Sequence, residues 1–196
     1  MKLLIAYDGS ACADAALLDL QRAGFPGEVE AIVVSVSDVC LWPPGTGEVA
    51  EPSSVILETV HLRKERQHAL QAVENARALA VQASEIVGAS FPAWKVHAEA
   101  YGESPAWAII KRADEWKADL VVVGSHGRSA LGRLILGSVS QKVVTEAGCS
   151  VRVARGHASH RHSPVRIAIG VDGSPGAEAA VKAVTAVSGR LAVKRE

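Results

Sequence analysis

Ala118-Asp119-Leu120-Val121-Val122-Val123-Gly124-Ser125-His126-Gly127 is the stretch on which the fold reading turns. Its apolar run, mostly β-branched, suits a strand buried on both faces, as in a parallel sheet. It is the best candidate for the sheet centre. The run stops at Gly124, and a glycine-containing segment carries the chain to Gly137-Ser138. From Gly137 to Ala147 the sequence reads as a helix, with Gly148 as its C-terminal stop.

The same alternation extends in both directions. Leu3-Leu4-Ile5-Ala6-Tyr7 is a buried strand ended by Asp8-Gly9-Ser10. Ser10 is placed to cap a helix that carries Ala13, Ala16, Leu17 and Leu20 at helical spacing, stopped by Gly24 and Pro26-Gly27. Ala31 to Val36 is a second strand, followed by a long Pro- and Gly-rich loop from Leu41 to Ser54. Val55 to Val87 is free of Gly and Pro and reads as one long amphipathic helix, or two. Trp94, Val96, Ala98 and Ala100 alternate with polar residues, the pattern of a half-exposed strand. Ser104-Pro105 opens a helix whose inner face holds Ala106, Ile109, Ile110 and Ala113. Val151 to Ala154 is a fifth strand. Strand followed by helix throughout predicts an α/β fold: an open five-stranded parallel sheet with helices on both faces. Ligands of such sheets bind beyond the carboxyl ends of the strands. The segments that matter are therefore Asp8-Gly9-Ser10, the stretch after Val36, and Gly124 onward.

Residues 157–164 are a polar, His-rich linker. The segment after the linker repeats the beginning of the chain. Ile169-Gly170-Val171-Asp172-Gly173-Ser174 echoes Ile5-Ala6-Tyr7-Asp8-Gly9-Ser10, and Ala177-Glu178-Ala179-Ala180 keeps register with Ala13-Asp14-Ala15-Ala16. The organisation read is one domain over residues 1–156, the linker, and a truncated second copy of the first β-α unit over 165–196. So short a copy cannot bury a core of its own.

Composition narrows the function. Among 196 residues, 21 Lys and Arg balance 21 Asp and Glu, leaving no overall basic field to hold nucleic acid or an anionic membrane. No apolar run reaches the ~18–20 residues of a membrane span, and no signal-peptide pattern opens the chain. Cys12, Cys40 and Cys149 are far apart with no CxxC pair, as expected of free, inert thiols in a reducing cytoplasm. His157, His160 and His162 fit a linker better than a metal site, having no Cys or acid beside them. Trp42 is a candidate cover for a ligand or partner, whereas Trp94, Trp107 and Trp116 are expected to pack against sheet or helix.

The chemistry lies in Gly124 to Ser138. Glycine lets a backbone approach a ligand closely, and a helix start offers free N–H groups to an anion. Ser138 and Ser140 add hydroxyls, and Arg128 and Arg133 add local positive charge. The sum reads as a phosphate cradle. It is neither a Walker P-loop, since no Gly-Lys-Ser or Gly-Lys-Thr occurs, nor the dinucleotide fingerprint. Asp8, at the neighbouring strand end, can accept from a ribose hydroxyl or an adenine amino group. His126 is placed to position a ligand; no partner that would make it a general base is visible.

The spacing Gly124-x2-Gly127-x9-Gly137-Ser138 resembles the nucleotide-binding pattern of the universal stress protein family. The Asp8-Gly9-Ser10 opening, the Ala118–Gly127 block and the closing Cys149–Val153 strand are similar to that family too, and the partial repeat resembles its tandem members. The resemblance implies an adenine nucleotide alpha hydrolase-like fold and the ATP-binding branch of the family. It implies that Ala6 and Asp8, with Tyr7 between them, lie beside adenine and ribose, and that Val36 contacts adenine. It places Val123, Gly124, His126, Gly127 and Arg128 along ribose and phosphates. Gly137, Ser138, Val139 and Ser140 are to hold the phosphates through N–H and hydroxyl groups, with Mg²⁺ or Mn²⁺ carried mainly by the phosphates. It implies a homodimer seamed along Val151 to Ala154. The expected function is a cytoplasmic, ATP-dependent regulatory module whose state an unknown protein partner reads, rather than an enzyme. The rivals are a slow ATPase and a dimeric scaffold that binds no nucleotide.

Overall fold

The computed structural model describes residues 1–39, 52–127, 136–155 and 167–188; for residues 52–62 and 186–188 it describes the backbone only. Ten elements run in order: β1 (Lys2–Ala6), α1 (Ala11–Leu20), β2 (Glu30–Ser37), α2 (Pro52–Ser90), β3 (Lys95–Gly102), α3 (Pro105–Trp116), β4 (Leu120–Gly124), α4 (Ser138–Glu146), β5 (Ser150–Ala154) and α5 (Pro175–Ser188).

Five parallel strands form one sheet in the order β3-β2-β1-β4-β5. The centre is therefore β1 and not β4, which lies beside it. A buried run alone marks a strand with neighbours on both sides, and both strands meet that condition. The order reverses between β1 and β4, the kind of switch point at which open α/β sheets bind ligands.

Side-chain alternation divides the core in two. Leu3, Ile5, Tyr7, Ala31, Val33 and Val122 face α1 and α2, packing on Ala13, Ala16, Leu17, Leu20, Ala80, Ala83 and Val87. Leu4, Ile32, Val34, Val121 and Val123 face the other way, onto Ala106, Ile109 and Ala113 of α3 and Val143 of α4. Each large apolar side chain buried this way is worth about 1.5–3 kcal/mol. Trp94 closes the lower end of the first layer, stacked on Phe91 at 3.9 Å and edge-on to Phe25 at 5.5 Å. Trp107 does not pack as expected: it is 49% exposed on the outer face of α3, with the Lys111 ammonium 4.5 Å over its ring.

The long Gly- and Pro-free stretch lies within a single helix of 39 residues, which starts at Pro52, inside the expected loop, and runs through Gly88 to Ser90. The edge strand β3 is tied to α3 by Arg112, which donates from Nε and Nη2 to the two carboxylate oxygens of Glu99, both at 2.7 Å; Tyr101 adds a third donor at 2.6 Å. The Arg112 guanidinium holds the Glu99 carboxyl below its usual range. Ser104 stands at the start of α3 with Pro105 behind it, but its hydroxyl makes no capping bond.

The repeat is reproduced in its turn and helix but not in its strand. Asp172 accepts from the Ser174 N–H at 2.9 Å, and Ser174 Oγ accepts from Ala177 N–H at 3.2 Å. Asp8, Ser10 and Ala13 make the same two bonds at 3.0 and 3.2 Å. Gly9 and Gly173 share a left-handed φ of 76° and 81°. Ile169-Gly170-Val171, the counterpart of the first strand, forms no strand, and Ile167, Ile169 and Val171 are exposed. The turn and cap are local and form from sequence alone, whereas a strand exists only by pairing with a neighbour.

Candidate functional site

A cleft of about 590 Å³ opens at the carboxyl ends of the strands. Its floor is the sheet between β1 and β4, one wall is the start of α4, and the other is the end of β2 with the start of α3. Three strand ends reach it. Beyond Ala6 the chain leaves the sheet at Asp8-Gly9-Ser10, where Ser10 caps α1 by accepting from Ala13 N–H and donates its hydroxyl to the His126 carbonyl at 3.3 Å. β4 leaves at Gly124, and β2 at Ser37.

Of the sequence-predicted site residues, Ala6, Tyr7, Asp8, Val36, Val123, Gly124, His126, Gly127, Gly137, Ser138, Val139 and Ser140 all line this one cleft. Arg128 lies outside the described residues, as do Arg133, Trp42, Cys40 and the linker histidines. Sequence reading did not single out Val34, Ser37, Asp38, Pro105, Ile109 or Leu136 as lining residues. Ser37 and Asp38 had a signal, since they open the stretch after Val36 at a strand's carboxyl end.

The glycines have different reasons to be glycine. A Cβ on Gly124 would stand 2.8 Å from the Cys12 carbonyl carbon and 3.0 Å from the Ala13 nitrogen, both backbone atoms of α1. Gly124 therefore lets the first turn of α1 sit against β4. A Cβ on Gly127 would meet only Asp8 Oδ2, at 2.9 Å, and one on Gly137 would stand 3.4 Å from the His126 Cα. These two keep the cleft open beside Asp8 and His126.

The polar groups are only partly available. Gly137 donates its N–H to the Ser125 carbonyl at 2.8 Å, so this amide, expected to hold a phosphate, instead ties the end of β4 to the head of α4. Ser140 donates its hydroxyl to the Gly124 carbonyl at 2.6 Å and is buried, so its hydroxyl is likewise committed to the wall. Both corrections arise because the carbonyls at the end of β4, Gly124 and Ser125, need donors of their own. The remaining donors are the N–H groups of Ser138, Val139 and Ser140, the first turn of α4. No side chain caps that helix, and its N-cap is Gly137. Among the described residues these three N–H groups have no partner, and they lie with the positive end of the helix dipole at the cleft lining.

Tyr7 contributes a wall rather than a hydroxyl. Its O–H donates to Asp14 Oδ1 at 2.7 Å, and burial, then this bond and the nearby Asp8, push its pKa up to about 12. Ser125 is buried behind the loop, its Oγ 3.0 Å from His126 Nδ1 and 3.7 Å from the Cys12 sulfur. His126 Nε2 is buried without a partner among the described residues. Cys12 and Cys149 are free thiols, and burial, with Asp114 and Asp119 nearby, raises the Cys149 pKa. Among the described residues no cluster of three or more His, Cys, Asp or Glu could hold a metal ion, and no helix is long and apolar enough to cross a membrane.

Known proteins share the sequence pattern and the fold of this chain. The universal stress protein family profile matches residues 1–155. A curated universal stress protein of Methanocaldococcus jannaschii is 34% identical over 160 residues, covering 79% of this chain and 81% of its own. One of Mycobacterium tuberculosis is 32% identical over 193 residues, covering 91% of this chain but only 56% of its own. This chain thus spans little more than half the length of that relative. A solved universal stress protein of Archaeoglobus fulgidus superposes with a TM-score of 0.66 at 18% identity, covering 98% of this chain and 64% of its own, and shares the fold. By its matched profile, its relatives and its five-stranded sheet with the glycine-spaced cleft, this chain belongs to the universal stress protein family.

Proposed function

We propose that the cleft binds an adenine nucleotide, with ATP as its natural ligand, and that the chain acts as a nucleotide-dependent regulatory module. The observation that carries this reading is the uncapped start of α4 facing a 590 Å³ cleft at the sheet's switch point. Ser138, Val139 and Ser140 N–H groups suit phosphate oxygens, which need donors and a positive potential. The opposite end is apolar, lined by Ala6, Val34, Val36, Ile109 and Val123, and suits a purine ring. Asp8, between the two, is an acceptor at ribose height. Gly127 leaves it room, since any Cβ there would press on its carboxylate.

The register adds a base-reading edge. Tyr7 N–H donates to the Val34 carbonyl at 2.9 Å, so alternate β2 residues direct their polar groups toward β1. Two residues on, β1 has already turned away at Asp8, and the Val36 peptide groups border the cleft. A divalent ion such as Mg²⁺ or Mn²⁺ enters with the phosphates that hold it. The geometry favours binding over hydrolysis: His126 is engaged through Nδ1, and its Nε2 is buried in the wall. The open edge of β5, with Val151 and Val153 half-buried, supports pairing with a second subunit, and a partner then reads cleft occupancy through that assembly.

Equilibrium dialysis with labelled ATP tests the proposal. The wild-type chain should bind one ATP per cleft, and Gly127→Val with Gly137→Val should abolish binding while circular dichroism stays unchanged. Equal binding by the folded double variant contradicts the assignment. Chromatography of the same samples for ADP separates the slow-ATPase reading.

A further inference from the structure

One wall of the cleft ends in Ser37 and Asp38, at the carboxyl end of β2. Val39 N–H donates to the Ser37 carbonyl at 2.8 Å, closing a three-residue turn around Asp38, and Glu103 N–H donates to the same carbonyl at 3.1 Å. The turn pins the backbone of Asp38 where β2 leaves the sheet. Asp38 lines the cleft, is exposed, and its carboxylate has no hydrogen-bond or ion-pair partner among the described residues. Its neighbours on that wall are Val36, Pro105 and Ile109, which offer a ligand no polar side chain, and Ser37, whose hydroxyl is the only other polar side-chain group there among the described residues. An ionised carboxylate only accepts hydrogen bonds. It therefore rewards a ligand that brings an N–H donor to this end of the cleft and repels one that brings a lone pair.

We propose that Asp38 is the base-specificity residue of the cleft, accepting from the exocyclic amino group of a 6-aminopurine. The proposal rests on the adenine-nucleotide reading above, with the purine at the apolar end. The carboxylate gains a charge-assisted bond from a 6-amino group, loses it when C6 carries hydrogen, and meets the O6 lone pairs of a 6-oxopurine. Because Asp38 is exposed, water competes for it. The discrimination is therefore about tenfold, far short of what a sealed pocket achieves.

Isothermal titration of the whole chain with ATP, purine riboside 5′-triphosphate (hydrogen in place of the 6-amino group) and ITP is the test. Wild type should bind ATP about tenfold more tightly than either analogue. Asp38→Ala should bring ATP within about twofold of purine riboside triphosphate, by weakening ATP rather than tightening the analogue. Its thermal midpoint should match wild type, since the side chain is exposed. Equal wild-type affinities for ATP and purine riboside triphosphate overturn the inference, as does a preference that survives in Asp38→Ala; either leaves nucleotide binding standing. No binding of any of the three overturns the inference together with the nucleotide reading beneath it.

Discussion

Gly124 and Gly127 stand three residues apart in one motif, yet alanine at the two positions should do opposite things. At Gly124 the new methyl would lie 2.8 Å from the Cys12 carbonyl carbon, and 3.0 Å from both the Cys12 carbonyl oxygen and the Ala13 nitrogen. All three are main-chain atoms in the first turn of α1. That helix cannot retreat alone, because Ala13, Ala16, Leu17 and Leu20 are buried against the sheet. Overpacking against such a surface costs about 1–3 kcal/mol. Taking about 2 kcal/mol, the thermal midpoint of a chain this size should fall by roughly 4–8 °C. At Gly127 the methyl meets Asp8 Oδ2 at 2.9 Å, the movable end of a side chain. Yielding costs Asp8 at most its bond from Ser10 N–H, about 1 kcal/mol. Stability should barely change, while ATP affinity falls at least tenfold because the displaced carboxylate and the methyl both intrude on the ligand. Urea and thermal unfolding of each variant, with calorimetric ATP titration, read out both effects. A Gly124→Ala chain that unfolds at the wild-type midpoint refutes the reasoning, as does a Gly127→Ala chain that proves the less stable of the two.

Named contacts give three further outcomes. Ser140→Ala removes the donor to the Gly124 carbonyl and should lower unfolding stability by about 1–2 kcal/mol, while the Ser140 N–H stays in the cleft; unchanged urea midpoints contradict that role. Arg112 depresses the Glu99 carboxyl below its ordinary 4.5, so the unfolded chain takes up that proton more readily than the folded one. The contribution is complete above 4.5 and is lost as pH falls through the depressed value. Between about pH 5 and pH 3, Glu99→Gln should therefore lose less stability than wild type, and parallel losses would refute it. Ser10→Ala removes the cap of a core helix and should cost about 1 kcal/mol, whereas Ser174→Ala removes the same cap from exposed α5 and should leave the main unfolding transition unmoved. Equal losses in differential scanning calorimetry would contradict the distinction.

Much of this was legible in the sequence because it depends on local pattern. Apolar runs such as Leu3–Ile5 and Val121–Val123 can be satisfied only between two helical layers, and each ends in residues that stop a strand. The spacing of Gly124, Gly127 and Gly137 pointed to one cleft, and the chain delivers all three to it. What stayed hidden depends on who else is present. Nothing in the sequence tells that the Ser140 hydroxyl and the Gly137 amide answer the Gly124 and Ser125 carbonyls at the end of β4. Nothing marks Gly124 as making way for the α1 backbone, since those contacts cross more than a hundred residues. Ile169-Gly170-Val171 carries strand-forming residues yet forms no strand, because pairing is supplied by a neighbour and not by propensity.

Amide chemical shifts under ATP titration test the central claim most directly. The largest shifts should fall on Ser138, Val139 and Ser140, then Gly127, at nucleotide concentrations that saturate the cleft. Those amides staying fixed at millimolar ATP, or the strongest shifts gathering along β5 instead, would contradict it.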